Sequence, residues 1–391
     1  MVAGGPVSSF LDPYLDDSHR VFRELCRRFA EEQLAPHAEA WEEAGSFPRE
    51  LYAQAADAGV LAPTWPEALG GGGGDTFHGV IAGEELLRGE STGVVVGLGS
   101  LQIALPPILH LGTPEQHRRF IVPVLAGEQI AALAITEPGT GSDVAAVRTR
   151  AEPDGDGDGY RITGSKTFIT SGVRADLVVV LARTGDDPHG GLTFFVVERG
   201  MAGFEVSRAL RKTGWWASDT AELHFDGVQV PASHRLGDEG SGFSALMRNF
   251  EGERLMLAIN GTALAALSLE HALAYAHQRE AFGRPLKKLQ VIRHKLAEMQ
   301  TQVASAQTLT YAVADRMRRG EPCISEVALA KNHASLVARD VCWEAVQIFG
   351  GMGYMRETVV ERFARDARLL PIGGGTQEIM NEIICRFGLG L

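Results

Sequence analysis

Apolar residues recur every three or four positions over most of this chain, but every two in one central stretch. From Asp12 to about Glu128 the helical period dominates. Val21, Leu25, Phe29 and Leu34 fall near helical spacing, and further helices fit 48–58, 78–88 and 114–126. From about Ala131 the period becomes two, in short β-branched or apolar runs at 131–135, 160–164, 176–181, 192–198, 204–207 and 221–225. Glycine and aspartate turns separate them. After Gly242 the helical pattern returns, with segments near 243–280, 289–319, 324–349 and 376–385. The order predicts an α+β fold in three parts: an N-terminal α-helical domain over 1–130, a middle β-sheet domain over 131–241 and a C-terminal α-helical domain over 242–391. The five glycines at 70–74 read as a turn, too flexible for the inside of an element.

The stretch 91–112 carries no Asp, Glu, Lys or Arg and so imitates a membrane span. Its glycines, the Pro106-Pro107 pair, Gln102 and His110 favour a buried helix with a broken end instead. The 391 residues suffice for two or three cores, and 45% hydrophobic with 22% charged residues is ordinary globular composition. A net charge of −12 argues against nucleic acid or an anionic membrane as the main partner, while leaving room for a local basic pocket. Cys26, Cys323, Cys342 and Cys385 are far apart and form no C-x-x-C pair, which fits a reduced, cytoplasmic setting. Residues 1–10 lack the basic start and long apolar core of a signal peptide.

Two imitations of metal sites are set aside. The run Asp154-Gly-Asp-Gly-Asp-Gly159 copies the first half of an EF-hand loop, but Ser165 stands where the twelfth-position glutamate belongs. It reads as a polar hairpin turn. The twelve histidines show no metal-ligand spacing; His271 and His277 are six apart and do not share a helix face, so no metal is expected. The basic tract 284–288 reads as a solvated loop between helices, with contact to a ligand's phosphates as the alternative.

Two features carry candidate chemistry. Thr136-Glu-Pro-Gly139-Thr-Gly141-Ser142-Asp143 follows an apolar strand. Its glycines admit close approach of a ligand to the backbone and its hydroxyls add donors, although spacing alone also fits a decorated turn. Farther on, Phe243, Leu246, Phe250, Glu253 and Leu257 are spaced three and four apart, which puts Glu253 on an apolar helical stripe. A carboxylate there is costly unless paired or functional, and Arg254 is the adjacent candidate partner.

The run Ala134-Ile-Thr-Glu-Pro-Gly-Thr-Gly-Ser-Asp143 resembles the flavin-binding signature of the acyl-CoA dehydrogenase family. Further matches follow in order: Gly164-Ser-Lys-Thr-Phe-Ile-Thr170, Arg279-Glu-Ala-Phe-Gly283, Gln347-Ile-Phe-Gly-Gly-Met-Gly353 and Gly374-Gly-Thr376. The resemblance covers nearly the whole chain and implies the family's helical, β and four-helix-bundle domains. It also implies FAD, with Leu133, Ile135, Thr136, Phe168 and Thr170 at the isoalloxazine ring, Gly141 as a further cofactor contact and Ser142 between flavin and substrate. Arg279, Phe282, Gln290, Gln347 and Gly351 match positions that hold a neighbouring subunit's FAD, implying a homotetramer built from dimers. Thr376 and Glu378 match residues closing over the adenosine diphosphate. Phe168 and Leu133 stand where many relatives carry tryptophan and tyrosine, which keeps an apolar wall but loses a polar handle.

The family's reaction removes a proton beside a thioester carbonyl and a hydride from the next carbon. Many relatives place the base just before the C-terminal Gly-Thr, where this chain has Gly374 in Ile372-Gly-Gly-Gly-Thr376. Glu253-Arg254-Leu255 resembles the site where isovaleryl-CoA and long-chain members carry it instead. Lys212–Thr220, Asn249–Arg254 and Ile372–Ile379 look like the long-chain and citronellyl-CoA branch. The resemblance thus implies Glu253 as the base, Phe250, Arg254, Gly374 and Gly375 as further substrate contacts, and a pocket widened at Gly374. It also implies an electron-transfer flavoprotein as acceptor. An acyl group on a carrier protein is the alternative substrate; a flavin monooxygenase of the same fold is disfavoured by Glu253.

Overall fold

The computed structural model describes residues 11–155 and 159–391; the expectations for residues 1–10 and for the middle of the acid-glycine turn at 156–158 lie outside them. The chain forms two compact units, one of Trp41–Gly73 and Gly93–Glu253, the other of Met1–Ala40, Gly74–Thr92 and Arg254–Leu391.

The first unit is organised on an eight-stranded sheet of β1 (Ala131–Ala134), β2 (Arg150–Pro153), β3 (Gly159–Thr170), β4 (Leu177–Arg183), β5 (Leu192–Glu198), β6 (Phe204–Ala209), β7 (Thr220–Pro231) and β8 (Arg235–Leu236). The order is β6-β7-β3-β2-β4-β5-β8, and β1 pairs in parallel with β4. β4 and β5 are buried at all but their last residue, which is why their Val- and Phe-rich runs lack alternation. Val178, Val180, Phe195, Val197, Leu223 and Phe225 build one core.

Two departures from the pattern are instructive. β7 continues six residues beyond the expected end at Phe225, because Asp226-Gly227 is a bulge rather than a turn. Ile162 pairs with Val228 and Gly164 with Phe225, and Gly227 takes φ +62 to absorb the extra residue. β2 was invisible to periodicity because three of its four residues are exposed. The five-glycine turn is tightly wound rather than loose. A Cβ on Gly71 would lie 2.3 Å from the Trp65 carbonyl oxygen, and Gly73 N–H donates to that oxygen at 2.8 Å.

The apolar stretch after Ser91 breaks into Thr92–Leu98, Leu101–Ala104 and Pro106–Leu111, with a 42° bend. Pro107 has no N–H to give Ile103, and the Asn249 side chain donates to that orphaned carbonyl at 3.0 Å.

The second unit is helical: α1 (Asp17–Phe29), α2 (Thr76–Leu86), α3 (Gly242–Gln278, counted here from Arg254), α4 (Gln290–Arg318), α5 (Ile324–Phe349), α6 (Val359–Ala367) and α7 (Gln377–Ile383). α3 is apolar and long enough to pass for a span, but most of its apolar window is buried inside the protein. On α1 the buried face is His19, Cys26 and Phe29, so the expected stripe through Val21 is rotated and Val21 is exposed. The rotation follows from capping. Asp16 and His19 form one capping box and Asp75 and His78 another, and His19 Nε2 bonds Asp75 at 2.8 Å. His19, Asp75 and His78 lie close enough to surround a cation, but Nδ1 of each ring accepts a backbone N–H and Arg318 stands 3.7 Å from Asp75.

α1, α2 and α4 also share a buried polar cluster. Glu85 takes Arg23, Arg27 and Arg88 at 3.3, 2.9 and 2.9 Å, and Tyr311 donates to Glu84 at 2.7 Å. Burial pushes the Glu84 carboxyl up to about 7, against the pull of Arg23. Between its ordinary 4.5 and about 7 the folded state keeps a proton that the unfolded chain has released, so this group's contribution falls as pH rises through that window. Glu84→Gln should therefore gain about 1–3 kcal/mol relative to wild type between pH 5 and pH 7.5. Urea unfolding at both pH values measures this, and a pH-independent difference would refute it.

Candidate active site

In the sheet unit the glycine-rich turn is anchored from below. Glu137 and Thr140 exchange backbone hydrogen bonds at 3.0 Å, which leaves Pro138 and Gly139 as an exposed tip. The Glu137 side chain points inward and accepts from Lys166 Nζ at 3.0 Å and from the N–H groups of Arg148 and Thr149 at 2.8 Å. Lys166 has no exposed surface and also donates to Ile135 O at 2.8 Å. Burial lowers the Lys166 ammonium to about 8, with Glu137 opposing that fall. Burial raises the Glu137 carboxyl, but Lys166 and the N–H donors outweigh it and hold it below the usual range. Both groups are therefore charged at neutral pH.

The same strand then bulges. Lys166 pairs with Leu223 and Ile169 with Ala221, so Thr167 and Phe168 together oppose one residue. Thr167 N–H donates to Thr136 O at 2.9 Å, tying the bulge to the turn. Phe168 takes φ +60, a left-handed conformation costly for an aromatic residue, and its ring is 69% exposed. Leu133 is buried, Ile135, Thr136 and Thr170 are half-buried, and Gly141 and Ser142 are exposed. Among the described residues nothing lies within 4 Å of a Cβ placed on Gly139 or Gly141. No contact among the described residues demands glycine at either position, which leaves the backbone open to a ligand.

The α3 stripe is less buried than the sequence suggests. Leu246 and Leu257 are buried, but Phe243, Phe250 and Glu253 are half-buried. The face packed into the sheet unit is Gly242, Ala245, Leu246 and Asn249, rotated away from Glu253. Glu253 is thus not a core residue.

In the helical unit, Pro371–Thr376 links α6 to α7. Gly374 and Gly375 take φ +62 and +95, which glycine alone adopts freely. Arg254, only 6% exposed, reaches Gly374 O with its Nε at 3.4 Å, so two residues expected at the substrate do meet. Thr376 caps α7 by accepting Ile379 N–H at 3.3 Å, and Glu378 is exposed on the first turn. Hydrogen bonding by a backbone N–H and by Thr376 lowers the Glu378 carboxyl.

Arg279, Phe282, Gln290, Gln347 and Gly351 are all exposed. Phe282 and Gly283 form the two-residue loop of a small hairpin, with φ +53 and +74.

Family models for the acyl-CoA dehydrogenase N-terminal, middle and C-terminal domains match residues 16–128, 132–228 and 240–389. The chain belongs to the acyl-CoA dehydrogenase family. It is 40% identical over 371 residues to the long-chain specific acyl-CoA dehydrogenase, mitochondrial, of Sus scrofa, an alignment covering 94% of this chain and 86% of that one. Among solved structures it is similar to a probable acyl-CoA dehydrogenase from Mycobacterium abscessus, at 48% identity and TM-score 0.93 over 95% of this chain and 99% of that one. It is also similar to butyryl-CoA dehydrogenase from Megasphaera elsdenii, at 37% identity and TM-score 0.92 over 96% of this chain and 99% of that one. The family's helical, β and helical architecture is the one found. The chain is thus an oxidoreductase that dehydrogenates acyl-CoA, and the members of its family are FAD-dependent flavoproteins.

The residues present fit such a cofactor. A strained, exposed aromatic ring, an open glycine backbone and the hydroxyls of Thr136, Ser142 and Thr170 offer apolar and polar contacts for a flat heteroaromatic ring. Sequence reasoning gave no role to Lys166, Lys331 or Asn249. The signal was there for Lys331, a cation among Val327, Ala328, Ala330 and Ala334 on a helix. The strain at Phe168 gives a testable trade. Phe168→Gly should stabilise the apoprotein by about 1 kcal/mol while weakening FAD retention. Urea unfolding and FAD titration separate the two effects, and unchanged FAD affinity would remove Phe168 from the flavin site.

Proposed function

We propose that this protein introduces the C2=C3 double bond of a long or methyl-branched acyl-CoA, with Glu253 as the base. FAD, when bound, accepts the hydride leaving C3. Glu253 takes the C2 proton, which the neighbouring thioester carbonyl acidifies. Glu253 is half-buried rather than sealed in the core, which leaves such a role open to it. The observation that carries the assignment is the contrast between two positions. Gly374 has no side chain to accept a proton, whereas Glu253 presents a carboxylate beside the buried Arg254, which itself reaches Gly374 O.

Leu133, Ile135, Thr136, Phe168 and Thr170 would hold the flavin ring and Gly141 would also contact the cofactor, with Ser142 between ring and substrate. Thr376 and Glu378 would hold the adenosine diphosphate. Phe250, Arg254, Gly374 and Gly375 would contact the thioester, and the bare Gly374 leaves width for a branch or a long chain. The exposed Arg279, Phe282, Gln290, Gln347 and Gly351 suit contacts to the FAD of another subunit, in a tetramer of paired dimers. An electron-transfer flavoprotein is the acceptor in this reading.

Glu253→Gln keeps size and hydrogen bonding but removes the base, so anaerobic flavin reduction by acyl-CoA should slow by about 10²–10⁴. FAD content should stay at the wild-type level. Gly374→Glu in that background should restore part of the rate, with a preference for shorter, unbranched chains. Near wild-type reduction by Glu253→Gln would place the base elsewhere. A panel of straight, branched and carrier-bound thioesters decides between a coenzyme A and a carrier-protein substrate.

Arg279→Ala should weaken FAD retention by roughly 1.5–3 kcal/mol, the worth of a hydrogen bond to a charged group. It should also shift the assembly toward smaller species in sedimentation. A stable monomer with full FAD occupancy would contradict the shared site.

A further inference from the structure

The buried face of α5 is apolar around Val327, Ala328, Ala330, Ala334 and Val337, yet Lys331 sits among them with no exposed surface. An ammonium loses its hydration there, and apolar neighbours do not offset that loss. Its Nζ donates to the carbonyl of Gly375. The buried guanidinium of Arg254 reaches the carbonyl of Gly374 from α3. Two cations from two helices thus converge on successive carbonyls of one glycine turn.

That turn needs holding. Three glycines in a row carry more backbone freedom than other residues would, and two of these are left-handed. Backbone bonds close its base: Gly373 N–H donates to Leu369 O at 2.9 Å and Gln377 N–H to Pro371 O at 3.0 Å. Asn332, beside Lys331, donates to Gln377 O at 3.3 Å and to Asn381 at 2.9 Å, which secures the start of α7. None of these bonds takes the carbonyls at the apex, which fall to Arg254 and Lys331.

We infer that Lys331 is a positioning residue for the dehydrogenation: by holding the Gly375 carbonyl it fixes the Gly374–Gly375 turn against which the thioester is set. The inference rests on the reading of Gly374 and Gly375 as substrate contacts. Lys331 is given no proton to move, because it acts through the turn. A turn displaced by about 1 Å misaligns the reacting carbons and slows the chemical step without emptying the cofactor site.

The test combines hydrogen exchange with kinetics on the FAD-loaded enzyme. In wild type, the amides of Gly373 and Gln377 should exchange within about tenfold of those in α7. In Lys331→Met, which keeps length and apolar bulk, these two amides should exchange at least about tenfold faster while α5 stays protected. The rate of flavin reduction, measured at saturating FAD, should fall about 10- to 100-fold. Gly373 lies outside the left-handed region, and a Cβ there would meet Leu369 at an ordinary 3.7 Å. Gly373→Ala, added to Lys331→Met, should therefore stiffen the turn and recover part of the lost rate. A lysine that merely fills the core predicts the opposite: loosening along all of α5 and no rescue.

Lys331→Gln, with a shorter donor, serves if the methionine variant does not fold, and should show a smaller version of both effects. Wild-type amides exchanging at open-loop rates, or full activity in a folded Lys331 variant, would overturn the inference. If wild-type enzyme is not reduced by any thioester, the functional reading fails instead. The exchange comparison still reports whether Lys331 holds the turn.

Discussion

The sheet unit depends on one buried ion pair. Lys166 and Glu137 lie beneath the glycine-rich turn, and between them they bond the exit of β1, the return at Arg148 and Thr149, and the strand that bulges at Phe168. Replacing such a pair with apolar groups can be nearly neutral, but removing one partner leaves a buried charge at a cost of about 3–5 kcal/mol. The pair does what an apolar contact cannot. A carboxylate with four acceptor sites gathers two backbone N–H groups and an ammonium at defined angles, so the turn has one conformation rather than several. The open backbone at Gly139 and Gly141 can then face a ligand without collapsing, because its rigidity comes from below.

The broad layout was legible in the chain because each layer has its own period. β4 and β5 read as continuous apolar runs and α5 as an unbroken helical one, and their limits fall at or near those expected. What escaped were residues whose local chemistry points one way and whose neighbours point another. Asp226-Gly227 is a turn signal that the sheet uses as a bulge, and Arg150-Ala-Glu-Pro is too polar to announce a strand. On α1 and at the start of α3, spacing found a helix but placed the buried face wrongly. A stripe counts only apolar side chains, whereas the packed faces include His19 and Asn249, each committed to a hydrogen bond.

The site was legible in a different way. Glu253 stood out as a carboxylate on an apolar face, an argument that remains useful although the residue proved half-buried. The same argument applied to cations would have found Lys166 and Lys331. Both were passed over because a lysine inside a β-run or a helix usually snorkels to water. Neither does: each is fully buried and donates to a backbone carbonyl. The two glycine-rich turns are thus held by the same device, an ammonium placed under the backbone, although one lies in the sheet unit and the other in the helical unit.

Phe282 presses this logic one step further. It occupies the first position of a two-residue hairpin loop in which both residues have positive φ, where asparagine or aspartate before glycine is the favoured choice. Strain of this kind persists where surrounding contacts over-determine it, as they do for the buried Ser171 and Trp215. Phe282, however, is 91% exposed, so no packing among the described residues determines its side chain. In the proposed assembly, a neighbouring subunit would cover the ring and offset that local cost. Trp343, Met352 and Tyr354 of the same unit are also large and exposed. In the proposed shared site, an aromatic residue kept against its own turn preference and left exposed is what a contact with another subunit would use.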